Sequence, residues 1–409
     1  MKEKILSFPE RFLWGSSTSA HQTEGHNIHS DWWAWENSPA RVRALRAQGK
    51  SPKDFRSGAA CDFYNRYESD FDLVAKLNQN AFRLSLEWAR IEPVEGQFDE
   101  QELLHYEKVL SELKRRNIKS FVTLHHFTLP QWFLDKGGFS KKQNVGDFER
   151  YARRVAERYS GLVDFWLTIN EPGVYASHSY FFGTWPPQQK SFWTMLQVVN
   201  VLIAAHKAAT AAIRQYSNRP ISLAFHIYDL VSSSIFARLT RTLLHYTLNE
   251  YFIDRTAAWC DYLGVNYYGH SHVGVLGRRM RSASHHEVSD MGWGIHPEGF
   301  ERVLSNLKKY SKPIYVTENG LADAADTRRE KFIKDHLYYM HQAIEKGADV
   351  RGYLHWSLLD NFEWHHGFAP RFGLVAVDYK TQKRTIRNSA LAYAEICRTN
   401  KSKHLPTGY

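Results

Sequence analysis

The sequence predicts a single-domain (β/α)8 barrel, an α/β fold also known as a TIM barrel, on three observations. Eight short apolar runs occur in order along the 409 residues, and stretches with helical periodicity separate them. Hydrophobic residues make up 43% of the chain and aromatic residues 14%, which is enough for one large core. Length alone would suggest about two or three domains, but barrels of alternating strands and helices exceed the usual domain size. We therefore expect residues 1–409 to form one domain.

Each predicted strand is a short run of β-branched, aromatic or other apolar side chains. The eight predicted strands cover residues 12–16, 81–86, 120–124, 163–169, 221–225, 262–266, 314–317 and 352–356. Their alternation with helical stretches is the pattern of βα units in a parallel sheet.

Three of the connections carry apolar residues three and four positions apart, which places them on one face of a helix. These residues are Leu103, Tyr106, Leu110 and Leu113; Phe148, Tyr151, Val155 and Tyr159; and Ile333, Leu337, Met340 and Ile344. The last of these helices is expected to end at Gly347, because glycine commonly follows a helix end. The connection after the first strand, residues 18–80, is long, so we expect an elaborated loop there.

Reactive and sugar-compatible side chains follow the predicted strands. In a barrel of this kind the active site lies at the carboxyl ends of the strands. The candidates at or beyond those ends are Gln22, Arg83, His126, Asn170, Glu171, Asn266, Tyr268, Glu318, Trp356, Glu363 and Trp364. We therefore expect them to surround one site.

Glu171 and Glu318 end strands four and seven, which face each other across the mouth of an eight-stranded barrel. Opening a glycosidic bond requires two carboxyl groups across the bond, one to protonate the departing oxygen and one to attack the anomeric carbon or activate water. A separation of roughly 5 Å gives retention of configuration, and a larger one gives inversion. The pair therefore predicts glycoside chemistry.

A sugar also requires flat aromatic faces for its C–H surfaces and polar groups for its hydroxyls. Seven candidates provide this mixture: Trp356, Trp364, Tyr268, Gln22, His126, Asn170 and Glu363. Each alone has a plainer explanation, since tryptophan at a strand end often packs in the core and a single histidine is usually structural. Together at one barrel mouth they favour a carbohydrate site.

The chain resembles the family-1 glycoside hydrolases, the β-glucosidase and β-galactosidase group, from Phe8 to about Tyr393. Five motifs in the family order carry the resemblance. They begin at Phe8 (FP, then FLWG and QTEG), Thr168 (TINEP), Tyr315 (YVTENG), Trp356 (WSLLDNFEW) and Arg371 (RFGL).

The resemblance implies a role for each matching residue. Glu171 would be the general acid/base and Glu318 the nucleophile, with Arg83 and Tyr268 beside the nucleophile and Asn266 in support. Asn170 would bind the sugar 2-hydroxyl, and Trp356 would lie under the sugar ring. The remaining hydroxyls and the wall of the sugar site would be held by Gln22, His126, Glu363, Trp364 and Phe372.

Electrostatic reasoning adds two expectations. Arg83 should lower the pKa of Glu318, whereas apolar surroundings and the neighbouring carboxylate should raise that of Glu171. We therefore expect an ionised Glu318 and a largely protonated Glu171 in the resting protein. Glu363 would repel a 6-phosphate, and members that resemble 6-phospho-glycosidases lack this acid, so unphosphorylated sugars are expected.

The sequence departs from the family pattern in two places. Phe127 follows the strand-three histidines where the family usually has tryptophan, which keeps an aromatic plate but loses the indole donor. The chain is also short for the family, and the deficit falls between strands five and six, where residues 229–261 form the whole connection. A shortened connection there predicts an open cleft with loose selectivity for the aglycone, the group attached to the sugar.

Other function classes have weaker support. The net charge of +10 could attract nucleic acid, but no nucleic-acid motif accompanies it, so no nucleic-acid partner is expected. The longest apolar-leaning stretch, residues 198–205, is shorter than the ~18 residues of a membrane span, so no membrane partner is expected either. The three histidine doublets, which begin at His125, His285 and His365, suit metal binding poorly because adjacent strand residues point to opposite faces. We expect neither metal nor cofactor.

Two alternatives to hydrolysis remain open. A transglycosylase would pass the same covalent intermediate to a sugar or alcohol, and a catalytically dead barrel would only bind carbohydrate. The presence of both glutamates disfavours the second alternative. Three scattered cysteines and the lack of an apolar leader segment predict a cytoplasmic protein.

Overall fold

Eight parallel strands close into a barrel in the computed structural model, which describes residues 4–232, 234–275, 277–279 and 287–404. In chain order the barrel strands are β1 (Leu13–Ser17), β2 (Ala81–Ser85), β3 (Lys119–His125), β4 (Phe165–Asn170), β5 (Ile221–His226), β6 (Leu263–Asn266), β7 (Ile314–Asn319) and β8 (Val350–Trp356). Each strand pairs in parallel with its chain neighbours, and β8 closes the barrel on β1. The predicted fold class is confirmed, and each predicted strand overlaps one barrel strand.

A ring of helices surrounds the barrel. Its main members are α1 (Phe63–Lys76), α2 (Glu100–Arg115), α3 (Val145–Tyr159), α4 (Phe192–Arg214), α5 (Arg238–His245), α6 (Tyr251–Thr256), α7 (Pro297–Asn306), α8 (Arg329–Glu345) and α9 (Asn388–Thr399). The three helices predicted from apolar spacing are α2, α3 and α8, and the backbone turns left-handed at Gly347, two residues after α8 ends.

Two layers of apolar side chains stabilise the barrel. The larger lies between strands and helices, as expected for parallel strands that are buried on both faces. The smaller fills the barrel interior with Ala81, Phe121, Leu167, Ala224, Tyr262, Tyr315 and Leu354. Because this interior layer closes the barrel from within, a cavity can open only above it, at the strand ends.

The connection after β1 is elaborated, as its length predicts. It holds the helices Ala20–Thr23, Asp31–Asn37 and Pro39–Ala47, the 3-10 turn Pro52–Phe55, and then α1. Further short helices are Trp88–Ile91, Gln131–Asp135 and Pro172–Ala176, with a π-helical turn at Ser177–Phe181. Further 3-10 turns are Gly138–Ser140, Lys142–Asn144, Leu307–Tyr310 and Trp364–His366.

Among the described residues, three small sheets lie outside the barrel. Lys4–Ser7 pairs with Lys401–His404, and Val375–Val377 pairs with Arg384–Ile386. The third sheet joins Asp229–Ser232, His270–Gly274 and Gly277–Arg279.

The connection between β5 and β6 is helical around Leu239, Leu243, Tyr246 and Tyr251, a stretch that the sequence also predicts as a helix. After the strand Asp229–Ser232 it continues through the 3-10 turn Ile235–Ala237, α5, the π-helical turn Tyr246–Glu250, α6 and the 3-10 turn Ala257–Trp259. Unlike the other predicted helices, α5 leaves its apolar side chains in solvent, with Leu239 81% exposed.

Helix α4 is longer and more apolar than the sequence reading of residues 198–205 suggested. By length and composition its 23 residues match a membrane span, and 56% of its most apolar window is buried inside the molecule. The helix packs between the barrel and helices α3 and α6, with Leu202, Ala205 and Ala209 fully buried. Its apolar composition is therefore explained by its place in the helical ring.

Candidate active site

A cavity of about 390 Å³ opens at the carboxyl ends of the barrel strands. Nine of the predicted site residues line it: Gln22, His126, Glu171, Tyr268, Glu318, Trp356, Glu363, Trp364 and Phe372. The other three, Arg83, Asn170 and Asn266, are fully buried directly behind it. The structure thus brings the candidates from separate strand ends into one site.

Glu318 lies near the end of β7 and both of its carboxyl oxygens accept hydrogen bonds. Arg83 Nη1 donates to Oε1, and the Tyr268 hydroxyl donates to Oε2 at 2.7 Å. Arg83 is itself fixed, since its Nη2 donates to Asn170 Oδ1 at 2.7 Å and its Nε to Thr123 Oγ1 at 3.1 Å. A fully buried guanidinium therefore holds the carboxylate in one orientation.

The glycine two residues after Glu318 is required by the close approach of two strand ends. A Cβ at Gly320 would lie 1.8 Å from the carbonyl oxygen of Trp356. Asn319 anchors the same turn, because its Nδ2 donates to the Tyr267 carbonyl at 2.7 Å and its Oδ1 accepts from the Tyr353 hydroxyl at 2.8 Å. This packing sets Glu318 beside Trp356.

Glu171 follows β4 in the left-handed region, with a φ of 41°. Such a backbone is costly for a residue other than glycine and is typical of functional positions. Its Oε1 accepts hydrogen bonds from Asn266 Nδ2 at 2.8 Å and from His226 Nδ1 at 2.9 Å. Asn266 is held in turn by the Thr317 hydroxyl at 2.6 Å, so the groups that orient Glu171 and Glu318 are in contact.

The protonation of the two glutamates differs from the sequence-based expectation. Burial raises the pKa of Glu318 to about 7, against the opposing effect of Arg83. Burial also acts to raise the pKa of Glu171, but His226 and Asn266 together lower it. The expected directions are therefore wrong for the free protein, because they left out His226 and the full burial of Glu318. Because the charge on each carboxyl shifts the pKa of the other, Glu171 and Glu318 titrate as a pair.

The polar wall of the cavity is built around Glu363. Gln22 Nε2 donates to Glu363 Oε2 at 3.3 Å and to Asn361 Oδ1 at 3.0 Å. Burial raises the pKa of Glu363 to about 8, and the charges of Glu318 and Glu171 add to this effect. Three carboxyl groups thus share the cavity.

The aromatic wall places His126 between two indoles. Its ring stacks 5.9 Å from that of Trp356 and 6.0 Å from that of Trp364, with interplanar angles of 21° and 14°. Burial and the nearby Arg83 lower the pKa of His126, which favours a neutral imidazole able to bond a hydroxyl. Phe372 and Tyr268 form the opposite side, with ring centroids 6.3 Å apart.

Phe127 retains the aromatic plate expected of it. Its ring lies 4.8 Å from that of Trp185 and 5.2 Å from that of Trp364, on a left-handed backbone with a φ of 72°. Of the histidine doublets, His285 and His286 lie outside the described residues. Within the described ranges, the structure shows no group of three or more side chains suited to hold a metal ion.

Several lining residues were absent from the sequence prediction. They are Val174, His178, Trp185, His226, Tyr228, His270, Met291 and Trp293. His226 could have been found, since it directly follows the fifth predicted strand, the one strand end for which no candidate was named. The others lie outside the predicted strands and the family motifs and carry no spacing signal.

Comparison with known proteins gives a consistent picture. The family model described as glycosyl hydrolase family 1 matches residues 5–262 and 245–402. The structure is similar to a beta-glycosidase from Pyrococcus horikoshii, with a TM-score of 0.90, 36% identity and coverage of 98% of this chain and 97% of that one. Beta-glucosidase A of Thermotoga maritima is 30% identical over 97% of this chain and 99% of its own length. A chloroplastic galactolipid galactosyltransferase of Arabidopsis thaliana is 30% identical over 90% of this chain and 60% of its own length.

Proposed function

The chain belongs to glycosyl hydrolase family 1 and is a retaining β-glycosidase, and we propose that Glu318 is its nucleophile and Glu171 its general acid/base. The observation that carries this assignment is the different surroundings of the two carboxyls. Glu318 bonds a fixed guanidinium and a phenol, which suits a carboxylate that attacks carbon. Glu171 bonds an imidazole and an amide, which suits a group that gains and loses a proton.

In the first step a Glu318 carboxylate oxygen attacks the anomeric carbon as the bond to the leaving oxygen breaks. Glu171 transfers its proton to that oxygen. The hydrogen bonds from Asn266 and His226 both reach Oε1 of Glu171, which leaves Oε2 to carry the proton. The productive form therefore has the shared proton on Glu171 and the charge on Glu318, next to Arg83.

In the second step Glu171, now a carboxylate, removes a proton from water. The resulting oxygen attacks the anomeric carbon and releases Glu318, so that two inversions give net retention. Asn170 is suited to bind the 2-hydroxyl, because Arg83 fixes its Oδ1 and its Nδ2 lies at the cavity side, 3.2 Å from His126 Nε2.

We infer that the substrates are unphosphorylated β-glucosides or related β-glycosides. The relatives named beta-glucosidase A support the gluco configuration. Glu363 and Gln22 provide an acceptor and a donor for sugar hydroxyls on the same wall. A phosphate would enter a cavity that already holds three carboxyl groups, which disfavours phosphorylated sugars.

The experiment for this assignment is a panel of aryl β-glycosides with gluco, galacto, fuco, manno and 6-phospho-gluco sugars. The wild type is compared with Glu318→Ala and Glu171→Gln, and exposed Glu345→Ala is the matched control. Hydrolysis by the wild type and the control, lost in both site variants, supports the proposal. Full activity of Glu318→Ala would overturn it.

Transglycosylation is a second candidate, since one relative is named a galactolipid galactosyltransferase. The same covalent intermediate would then transfer its sugar to an alcohol or a sugar hydroxyl. Adding a soluble acceptor and resolving the products distinguishes the two reactions: transfer products that outnumber free sugar at millimolar acceptor favour the transferase.

We also propose a cytoplasmic location. The three cysteines, Cys61, Cys260 and Cys397, are all free and buried in the structure, which suits a reducing compartment. Fractionation of the native cells, with the protein followed by antibody, tests this location; recovery only from the extracellular medium would contradict it.

A further inference from the structure

A large set of apolar side chains is exposed on the rim beside the cavity, and we refer to this set as the apolar rim. From the segment that follows β4 it includes Phe181, Phe182, Phe192, Trp193 and Leu196, and from the β5–β6 connection Ile235, Phe236, Leu239, Leu243 and Tyr246. Trp193, Phe236 and Leu239 are 77%, 79% and 81% exposed. Scattered exposed apolar residues are normal, but a grouped set marks an interaction surface.

Helix α5 is the centre of the apolar rim. None of its eight residues, Arg238–His245, is buried, although Leu239 and Leu243 are four apart and share one face. Phe236 precedes them on the adjoining turn. A surface helix normally packs its apolar stripe on the protein core. Here the stripe faces solvent, and none of the described residues covers it.

The two parts of the apolar rim are neighbours in the helical ring. Helix α4 follows β4 and α6 follows β5, and β4 and β5 are adjacent in the barrel. The Tyr251 hydroxyl of α6 donates to Asn200 Oδ1 of α4 at 3.2 Å. The exposed residues precede these helices along the chain or lie in the first two turns of α4, so they lie at the end of the barrel where the active-site cavity opens.

A second cavity, of about 430 Å³, lies next to the active-site cavity. It is lined by Leu230, Val231, Ser232, Arg241, His270, His272, His296 and Arg302. Arg241 belongs to α5, and His270 also lines the active-site cavity. Helix α5 is therefore separated from the active-site cavity by this neighbouring cavity alone on the side of His270.

The charge of this part of the chain is strongly positive. Residues 172–249 contain a single acidic residue, Asp229, which is paired with Arg302 at 2.6 Å. At the cavity end of the barrel the same stretch contributes the basic residues Lys190, Arg238 and Arg241. Lys207, Arg214 and Arg219 lie further along α4 or past its end, and Arg214 pairs with Asp261. Arg238 and Arg241 are exposed on α5 itself. Two copies of the chain would bring like charges together here, which disfavours self-association through this face.

We propose that the apolar rim docks on an anionic lipid bilayer, with the α5 stripe inserted between headgroups and Arg238 and Arg241 above lipid phosphates. An exposed apolar stripe flanked by arginines has the composition of a helix that lies in a membrane interface. This gives a role to part of the +10 charge and replaces the expectation that no membrane takes part. The substrate class that follows rests on the proposed function. A chain docked in this way presents its active-site cavity to glycosides whose aglycone is a lipid chain.

The test is cosedimentation with vesicles of phosphatidylglycerol and phosphatidylcholine, against vesicles of phosphatidylcholine alone, at low and high salt. The triple variant Phe236→Ser, Leu239→Ser, Leu243→Ser removes the stripe, and Leu391→Ser on α9, across the barrel and 56% exposed, is the matched control. We expect the wild type and control to bind anionic vesicles, and the triple variant to bind at least about tenfold more weakly. High salt and neutral vesicles should weaken wild-type binding to a similar degree.

Hydrolysis of a soluble aryl β-glycoside is measured on the same samples and should be equal in all three proteins. Failure of the wild type to bind anionic vesicles would overturn the docking proposal. So would a concentration-dependent dimer that the triple variant dissolves in the absence of lipid, because it would assign the face to a second copy. Vesicle binding without glycoside hydrolysis would instead overturn the proposed function and leave the docking intact.

Discussion

His226 Nδ1 lies 2.9 Å from Glu171 Oε1, so the proposed acid/base is in direct contact with an imidazole at the end of the neighbouring strand. The contact links β5 to the chemistry at the end of β4. It also changes the protonation of the pair, since His226 lowers the pKa of Glu171 while burial raises that of Glu318. We conclude that His226 holds the pKa of Glu171, the proposed acid/base, low in the free protein.

Replacement of His226 by Asn should move the acidic limb of kcat/KM to higher pH. The variant keeps a hydrogen-bond donor but removes the imidazole that lowers the pKa of Glu171, and that pKa, the lower of the pair in the free protein, sets the acidic limb. The measurement is the pH profile of aryl glucoside hydrolysis. His105→Asn on α2 is the control and should leave the limb in place. A His226→Asn profile identical to the wild type would contradict this role.

Much of this site was predictable from residue order alone. Glu171, Glu318 and Trp356 end barrel strands, and the barrel brings all strand ends together, so sequence separation did not hide them. No candidate was named after the fifth strand, so His226 was missed. The predicted pKa directions of Glu171 and Glu318 were wrong partly because His226 was left out. The exposed face of α5 could not be foreseen, because apolar spacing predicts an amphipathic helix but not whether anything covers it.

Loss of the Tyr268 hydroxyl should move the alkaline limb of the profile upward. The pKa of Glu318, which burial raises to about 7, is the higher of the pair in the free protein; above it both carboxyls are ionised, no proton remains for the leaving oxygen, and activity falls. Tyr268 donates to the charged form and thereby lowers that pKa. Tyr268→Phe should raise the limb and reduce kcat/KM roughly 10- to 100-fold, the usual effect of a hydrogen bond to a charged group. An unshifted limb in that variant, with Tyr310→Phe as control, would argue against the contact.

Conversion of Glu363 to Gln should weaken binding of unphosphorylated sugars and relax the exclusion of phosphate. The amide retains the shape but removes a carboxyl group that, above its pKa of about 8, is a charge-assisted acceptor for sugar hydroxyls and repels phosphate, so both substrates are compared above that pH. We expect kcat/KM for an aryl β-glucoside to fall about tenfold or more. The ratio of kcat/KM for the aryl β-glucoside to kcat/KM for its 6-phosphate should fall as well. An unchanged ratio would show that Glu363 does not determine this selectivity.

Insertion of a single methyl group at Gly320 should destabilise the fold around the nucleophile. Its Cβ would lie 1.8 Å from the Trp356 carbonyl oxygen, so the ends of β7 and β8 must separate. We expect Gly320→Ala to lose about 2–4 kcal/mol of unfolding free energy, the range of severe steric substitutions. Chemical denaturation measures this, with Gly146→Ala as the control because its Cβ meets nothing within 4 Å. Equal stability of the two variants would contradict the packing argument.

Chemical rescue of Glu318→Ala distinguishes loss of the nucleophile from damage to the fold as the cause of lost activity. Glu318→Ala should lose turnover by at least about a thousandfold, since the covalent step is removed. Azide or formate can occupy the vacated space and attack the anomeric carbon, so added anion should restore part of the activity. The product with azide should be the α-glycosyl azide, from one inversion instead of two. Absence of rescue in a folded variant would place the nucleophile elsewhere.

The most direct measurement of the central claim is the identification of the residue that becomes covalently glycosylated. A 2-deoxy-2-fluoro aryl β-glucoside with a good leaving group slows release of the intermediate, and peptide mapping by mass spectrometry locates the sugar. We predict one sugar per chain, on Glu318, and slow turnover of that adduct on addition of an acceptor. A sugar attached to Glu171 or Glu363, or rapid turnover by an inverting path with no adduct, would contradict it.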